Sequence, residues 1–97
     1  MKIQTKSGFV CDVNENKAKD WRFCKNLAKC DTDDESSVIQ GIAFVVPFLL
    51  GSDGEEALIR HVSDDDGIAS TQRILEEFKE IMNLMSENIK KSQSSQD

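Results

Sequence analysis

Asp64-Asp65-Asp66-Gly67 is the first segment to test for chemistry, because carboxylates clustered around a glycine are how a helix–loop–helix site holds calcium. The spacing does not carry that reading. With Gly67 at the sixth loop position, Val62 falls at the first ligand position and Arg73 falls where a bidentate glutamate belongs. An acidic turn is the better reading. His61 is the single histidine. It has no second imidazole at helical spacing and no thiol pair nearby, so it reads as a surface residue at the cation-favouring C-terminal end of a helix rather than a zinc ligand. Cys11, Cys24 and Cys30 are odd in number and have no close pair, which argues against a disulfide framework. Cys11 and Cys24 are expected to be buried as small apolar side chains. A nucleophile needs a base and an oxyanion site, and no such pattern is present. Gly51 and Gly54 are not followed by the Lys-Ser or Lys-Thr of a phosphate loop. No catalytic residue, metal or cofactor is therefore expected, and the chain reads as a non-enzyme.

Composition narrows the remaining classes. A chain of 97 residues allows one domain, and 38% hydrophobic residues with one Trp, five Phe and no Tyr supply one core without a large enclosed cavity. A small-molecule substrate is therefore not expected. The formal net charge of -6 repels phosphate backbones and anionic lipid, so neither nucleic acid nor a membrane is the expected partner. Lys17, Lys19, Arg22, Lys25 and Lys29 cluster on one segment and read as its solvated face. No apolar run follows the opening residues and none approaches a membrane span, so the expected compartment is the cytoplasm, with reduced cysteines.

The elements follow from periodicity. Residues 2–13 alternate on either side of Lys6-Ser7-Gly8, which predicts a hairpin with Gly8 at positive φ and with Phe9 and Val13 anchoring its packed face. Ala18, Trp21, Cys24, Leu27 and Ala28 predict a helix over 15–30, capped by Asn14 or Asn16, with Trp21 as the largest core anchor. Residues 35–50 are apolar all round from Ile42 onward, which suits a central or interface helix ending at Gly51. Pro47 predicts a kink or early stop near Phe44 to Val46, and the β-branched run leaves a strand as the alternative. Ser52 and Glu55 have capping-box spacing for a short helix with Ala57, Leu58 and Val62 facing inward. The last helix, 69–90, carries Ile74, Leu75, Phe78, Ile81, Met82, Met85 and Ile89 on one stripe, with Glu76, Glu77, Glu80 and Glu87 off it.

The expected fold is thus mainly α, a four-helix single domain over 1–91 with an N-terminal β-hairpin (2–13) packed on it, and 92–97 as a disordered tail. Helix length predicts that Met82 to Ile89 overhangs the core and offers Met-rich apolar surface. Apolar excess nominates Phe44, Phe48, Phe78, Met82 and Met85 as partner-binding residues.

With these elements in place, the chain resembles the small tail assembly chaperones of long-tailed bacteriophages and prophages of Gram-positive hosts. The carrying segments are Lys2-Ile3-Gln4-Thr5-Lys6-Ser7-Gly8-Phe9-Val10-Cys11-Asp12-Val13, the helix around Asp20-Trp21, Pro47-Phe48-Leu49-Leu50-Gly51 with Glu55-Glu56-Ala57-Leu58, and Asp65-Asp66-Gly67 before the long helix. The similarity covers about residues 2–85. The basic first helix and the cysteines depart from the family pattern. The resemblance implies a protein that binds the tape measure protein and keeps it competent while tube subunits assemble, in the host cytoplasm. It also implies self-association and a frameshifted long form. The alternative is a small acidic adaptor or inhibitor domain that binds a host protein.

Overall fold

Thr5 to Gly8 make the turn that the two alternating runs require. In the computed structural model, β1 (Lys2–Gln4) pairs antiparallel with β2 (Val10–Asp12), placing Ile3 opposite Cys11. The Gly8 amide donates to the Thr5 carbonyl at 3.0 Å, and the Thr5 amide donates to the Phe9 carbonyl at 2.9 Å. Gly8 closes the turn at φ 96°, where a Cβ would be strained. Ile3, Thr5, Phe9, Cys11 and Val13 share the buried face, so the expected anchors Phe9 and Val13 hold their places. The structure describes residues 1–94, with side chains as far as residue 90; of the tail expected at 92–97, the backbone of 92–94 continues the last helix and 95–97 lie outside the described residues.

The expected helix over 15–30 is two pieces. A 3-10 helix (Glu15–Lys19) is capped by Asn14, whose Oδ1 accepts from the Asn16 amide at 3.1 Å. Asp20 is then extended (φ -72°, ψ 138°) and caps α1 (Trp21–Lys29), accepting from the Arg22 amide at 2.7 Å. That interruption resets the helical phase. The inward face of α1 becomes Phe23 and Asn26 with Leu27 and Cys30 beside them, and Trp21 is 72% exposed rather than a core anchor. Cys24 is exposed for the same reason, whereas Cys11 is buried as expected.

Arg22 also grips the Asp20 carboxylate with its guanidinium at 3.0 and 2.9 Å, which holds Asp20 down at about 2. A carboxyl depressed below its unfolded value of 3.8 contributes stability that is complete above that value and is lost as pH falls toward 2. An NMR titration of the Asp20 carboxyl should therefore show a midpoint near 2. Arg22→Ala should raise it part of the way, because the amides of residues 22 and 23 still donate to the carboxylate; a midpoint unmoved by that change would discard the assignment.

The segment from 35 onward is helical, not a strand, and it does not stop at Pro47. α2 (Glu35–Val62) runs through Pro47 and is interrupted only at Gly51, which sits at φ 79°, ψ 167°. An interior proline costs about 3 kcal/mol. Ile42, Val45, Val46 and Leu49 are all buried around it, and burial of four such side chains outweighs that cost. The break falls at Gly51, where a glycine takes positive φ without the strain a Cβ would bring. Ser52 already has helical geometry, so the expected capping box with Glu55 does not form. The four expected helices are accordingly three α-helices, with one kinked helix in place of the second and third. Helix makes up 69% of the chain, so the mainly α architecture with a two-stranded hairpin stands. By length and composition α2 alone among the described helices is large enough to cross a membrane. Val45, Leu49, Leu58 and Val62 along it are instead part of the core.

Gly41 sets how closely α1 and α2 approach. A Cβ there would lie 2.5 Å from the Asn26 carbonyl oxygen and 2.7 Å from Cys30 Sγ. After α2, the acidic segment is the expected turn: Asp64 Oδ1 accepts from the Asp66 and Ile68 amides at 2.9 and 3.1 Å. It leads into α3 (Thr71–Ser94). Phe78, Ile81 and Met85 of α3 join the hairpin face, Phe23 of α1 and both arms of α2 in one core.

Candidate protein-binding groove

Three apolar stripes meet on one side of the molecule. Ile39, Ile42, Ala43 and Val46 come from the first arm of α2, at helical spacings of three and four. Leu58 and Ile59 follow Glu55 on the second arm. Ile74 and Leu75 follow Thr71 at the start of α3. The kink at Gly51 is what lets two arms of one helix line a common groove of about 210 Å³. The walls are not sealed by other side chains: Ile39 is 44% exposed, Ile59 is 42% exposed, and Ile68, next to the lining residue Ala69, is 62% exposed. Two of the five large exposed hydrophobic residues among those described, Ile39 and Ile59, therefore line this one site. Glu55 is its single charged lining residue. It is half-buried and, among the described residues, makes no hydrogen bond or ion pair.

The five nominated residues do not form one surface. Phe78 and Met85 are buried, so Met85 belongs to the core instead of an overhanging methionine surface. Met82 is half-buried and lines a second groove of about 600 Å³ with Phe78, Leu27, Ala28 and Cys24. Phe44 and Phe48 stack on each other with centroids 5.2 Å apart, and Lys17 and Arg22 cover Phe48 at 5.2 and 5.3 Å. The groove-lining isoleucines were not among the nominated residues. Their signal was present: Ile39 and Ile59 are apolar side chains beyond what the inward stripe of each arm needs.

A polar cluster lies under the hairpin turn. Ser7 Oγ is 2.9 Å from His61 Nε2, the spacing of a nucleophile and its base. The acid, however, is on the wrong partner. Glu77 Oε1 accepts from Ser7 Oγ at 3.0 Å and from the buried Thr5 hydroxyl at 2.8 Å, instead of orienting the imidazole. With the serine proton directed at Glu77, His61 Nε2 is left to donate to Ser7. Glu80 Oε2 accepts from the Lys6 amide at 2.6 Å. The cluster fastens the turn to α2 and α3, and His61 is a half-buried member of it rather than a free surface residue. Comparison with protein-family models, curated proteins and solved structures gives no match. Elsewhere, burial, then the Asp12 carboxylate, pushes the Cys11 thiol up, and burial pushes the Cys30 thiol up.

Proposed function

We propose that this chain binds another protein through the groove between the two arms of α2 and the start of α3, taking the apolar face of a partner helix. The observation that carries this reading is the meeting of three helical stripes at a groove whose Ile39 and Ile59 remain more than two-fifths exposed. A helix laid into such a groove buries apolar area on both sides, the usual basis of helix-in-groove recognition. The proposed partner is a phage tape measure protein and the role that of a tail assembly chaperone, on the strength of the resemblance in residues 2–85. An exposed apolar groove on an acidic body suits a protein that must hold a long helical client in solution. The proposed role is binding without catalysis, which agrees with a serine proton directed at Glu77 and with the Cys11 and Cys30 thiols raised by burial.

The test is coexpression of the tagged chain with the tape measure protein of the same phage or prophage. The expected result is a soluble complex that Ile39→Asp and Ile59→Asp weaken about tenfold or more, while circular dichroism stays unchanged. Met82→Glu serves as the comparison, because Met82 lines the other groove. A complex lost with Met82→Glu but kept with both isoleucine changes would move the site to the α1–α3 side. No complex with the wild-type chain would remove the chaperone reading and leave the adaptor or inhibitor alternative.

A further inference from the structure

We infer that the occupant of this groove is a helix whose apolar stripe is flanked by Lys or Arg side chains, one of which pairs with Glu55. The inference rests on the groove being a binding site and goes on to name the chemistry of what it binds. Glu55 is the decisive residue. It is the single charged residue lining the groove, it is half-buried, and it has no partner among the described residues. Its neighbour Glu56 differs: it is exposed and sits 3.7 Å from Arg60 across one helical turn. Any helix that fills the groove takes further water from Glu55. A neutral or acidic occupant would leave a desolvated carboxylate unpaired, which opposes binding. A cationic side chain at the edge of the apolar stripe satisfies it.

The surroundings favour the same sign. Asp64, Asp65 and Asp66 lie three to five residues before the lining residue Ala69, and the whole chain carries a net charge of -6. Arg60, the cation nearest in sequence to the lining residues of the second arm, is already engaged by Glu56. A basic amphipathic helix is therefore steered toward this face and then held by a specific pair, whereas an acidic one is repelled at both stages.

The experiment is a titration of the isotope-labelled full chain, followed by NMR, with two synthetic helical peptides of about 18 residues, long enough to span the groove. Both carry leucine at helical spacings of three and four; one has lysine at the flanking positions and the other glutamate. The lysine peptide should shift the signals of Ile39, Ile59 and Ile74 and bind about tenfold tighter or more at low salt. Glu55→Gln, on the rim where folding does not depend on it, should narrow that ratio about fivefold. Equal affinity of the two peptides at these residues overturns the charge inference and leaves the groove reading standing. A lysine preference untouched by Glu55→Gln overturns the role of Glu55. If neither peptide moves these signals, the groove reading fails and the inference falls with it.

Discussion

Glu77→Ala should lower the stability of the protein by about 2–4 kcal/mol, a large effect for a single glutamate. Glu77 is 9% exposed and its Oε1 is the acceptor for both Thr5 Oγ1 and Ser7 Oγ. Truncation takes the carboxylate acceptor from the Thr5 hydroxyl, which is 3% exposed and keeps only Ser7 Oγ, at 3.1 Å, within reach. Glu77→Gln keeps an oxygen in place and should lose less. Urea unfolding separates the two variants, and a double-mutant cycle with Thr5→Val isolates the pair term. If Glu77→Ala unfolds within about 0.5 kcal/mol of wild type, the turn is not fastened through this carboxylate. Glu80 remains as a second tether through the Lys6 amide, so the hairpin should shift in the amide spectrum without detaching.

Gly41→Ala should destabilise by about 1–3 kcal/mol, the reverse of what helix propensity alone predicts. A glycine inside a helix ordinarily costs about 1 kcal/mol against alanine, so the substitution would stabilise an isolated α2. Here the added Cβ would meet the Asn26 carbonyl at 2.5 Å and Cys30 Sγ at 2.7 Å. The thiol can rotate away, but the carbonyl belongs to the α1 backbone and can yield only if the helices part. Adding Cys30→Ala to Gly41→Ala should therefore recover part of the loss and not all of it. Thermal unfolding reads the change at about 4–8 °C per kcal/mol for a domain of this size. A raised midpoint for Gly41→Ala would show that α1 and α2 separate at no cost.

These two residues also mark where sequence reading ran out. The hairpin was legible because period-two alternation, a glycine turn and the anchors Phe9 and Val13 all agree. The stripe of α3 was legible for the same reason, and Phe78, Ile81 and Met85 lie in the core. Glu77 was read as solvated because it is charged. Its position three residues after Ile74 and four before Ile81 already placed it on the inward face. The misplacement of Trp21 has one cause: Asp20 interrupts the helix and changes its phase, which a count of apolar spacings passes over. Asn26 deepened that error, since a polar residue on the true inward face hides the stripe. At Pro47 a local penalty was set against tertiary burial, and burial prevailed. The groove was least legible of all. Its three stripes lie on segments that only the kink at Gly51 brings together, and helix periodicity within one segment carries no trace of a neighbour.

The bonds from the hairpin turn to α3 join residues 72 and 74 positions apart, Thr5 to Glu77 and Lys6 to Glu80. On a ribosome the hairpin emerges before the helix that completes its seat. At about 5–20 residues per second, the delay between the two is roughly 4–14 s. Throughout that interval Ile3 and Phe9 belong to a two-stranded ribbon, which by itself is marginal in water. Completion of this fold thereby waits for α3: a nascent chain stalled before Glu77 would display the apolar face of its hairpin to chaperones and proteases, and one that has released α3 would not.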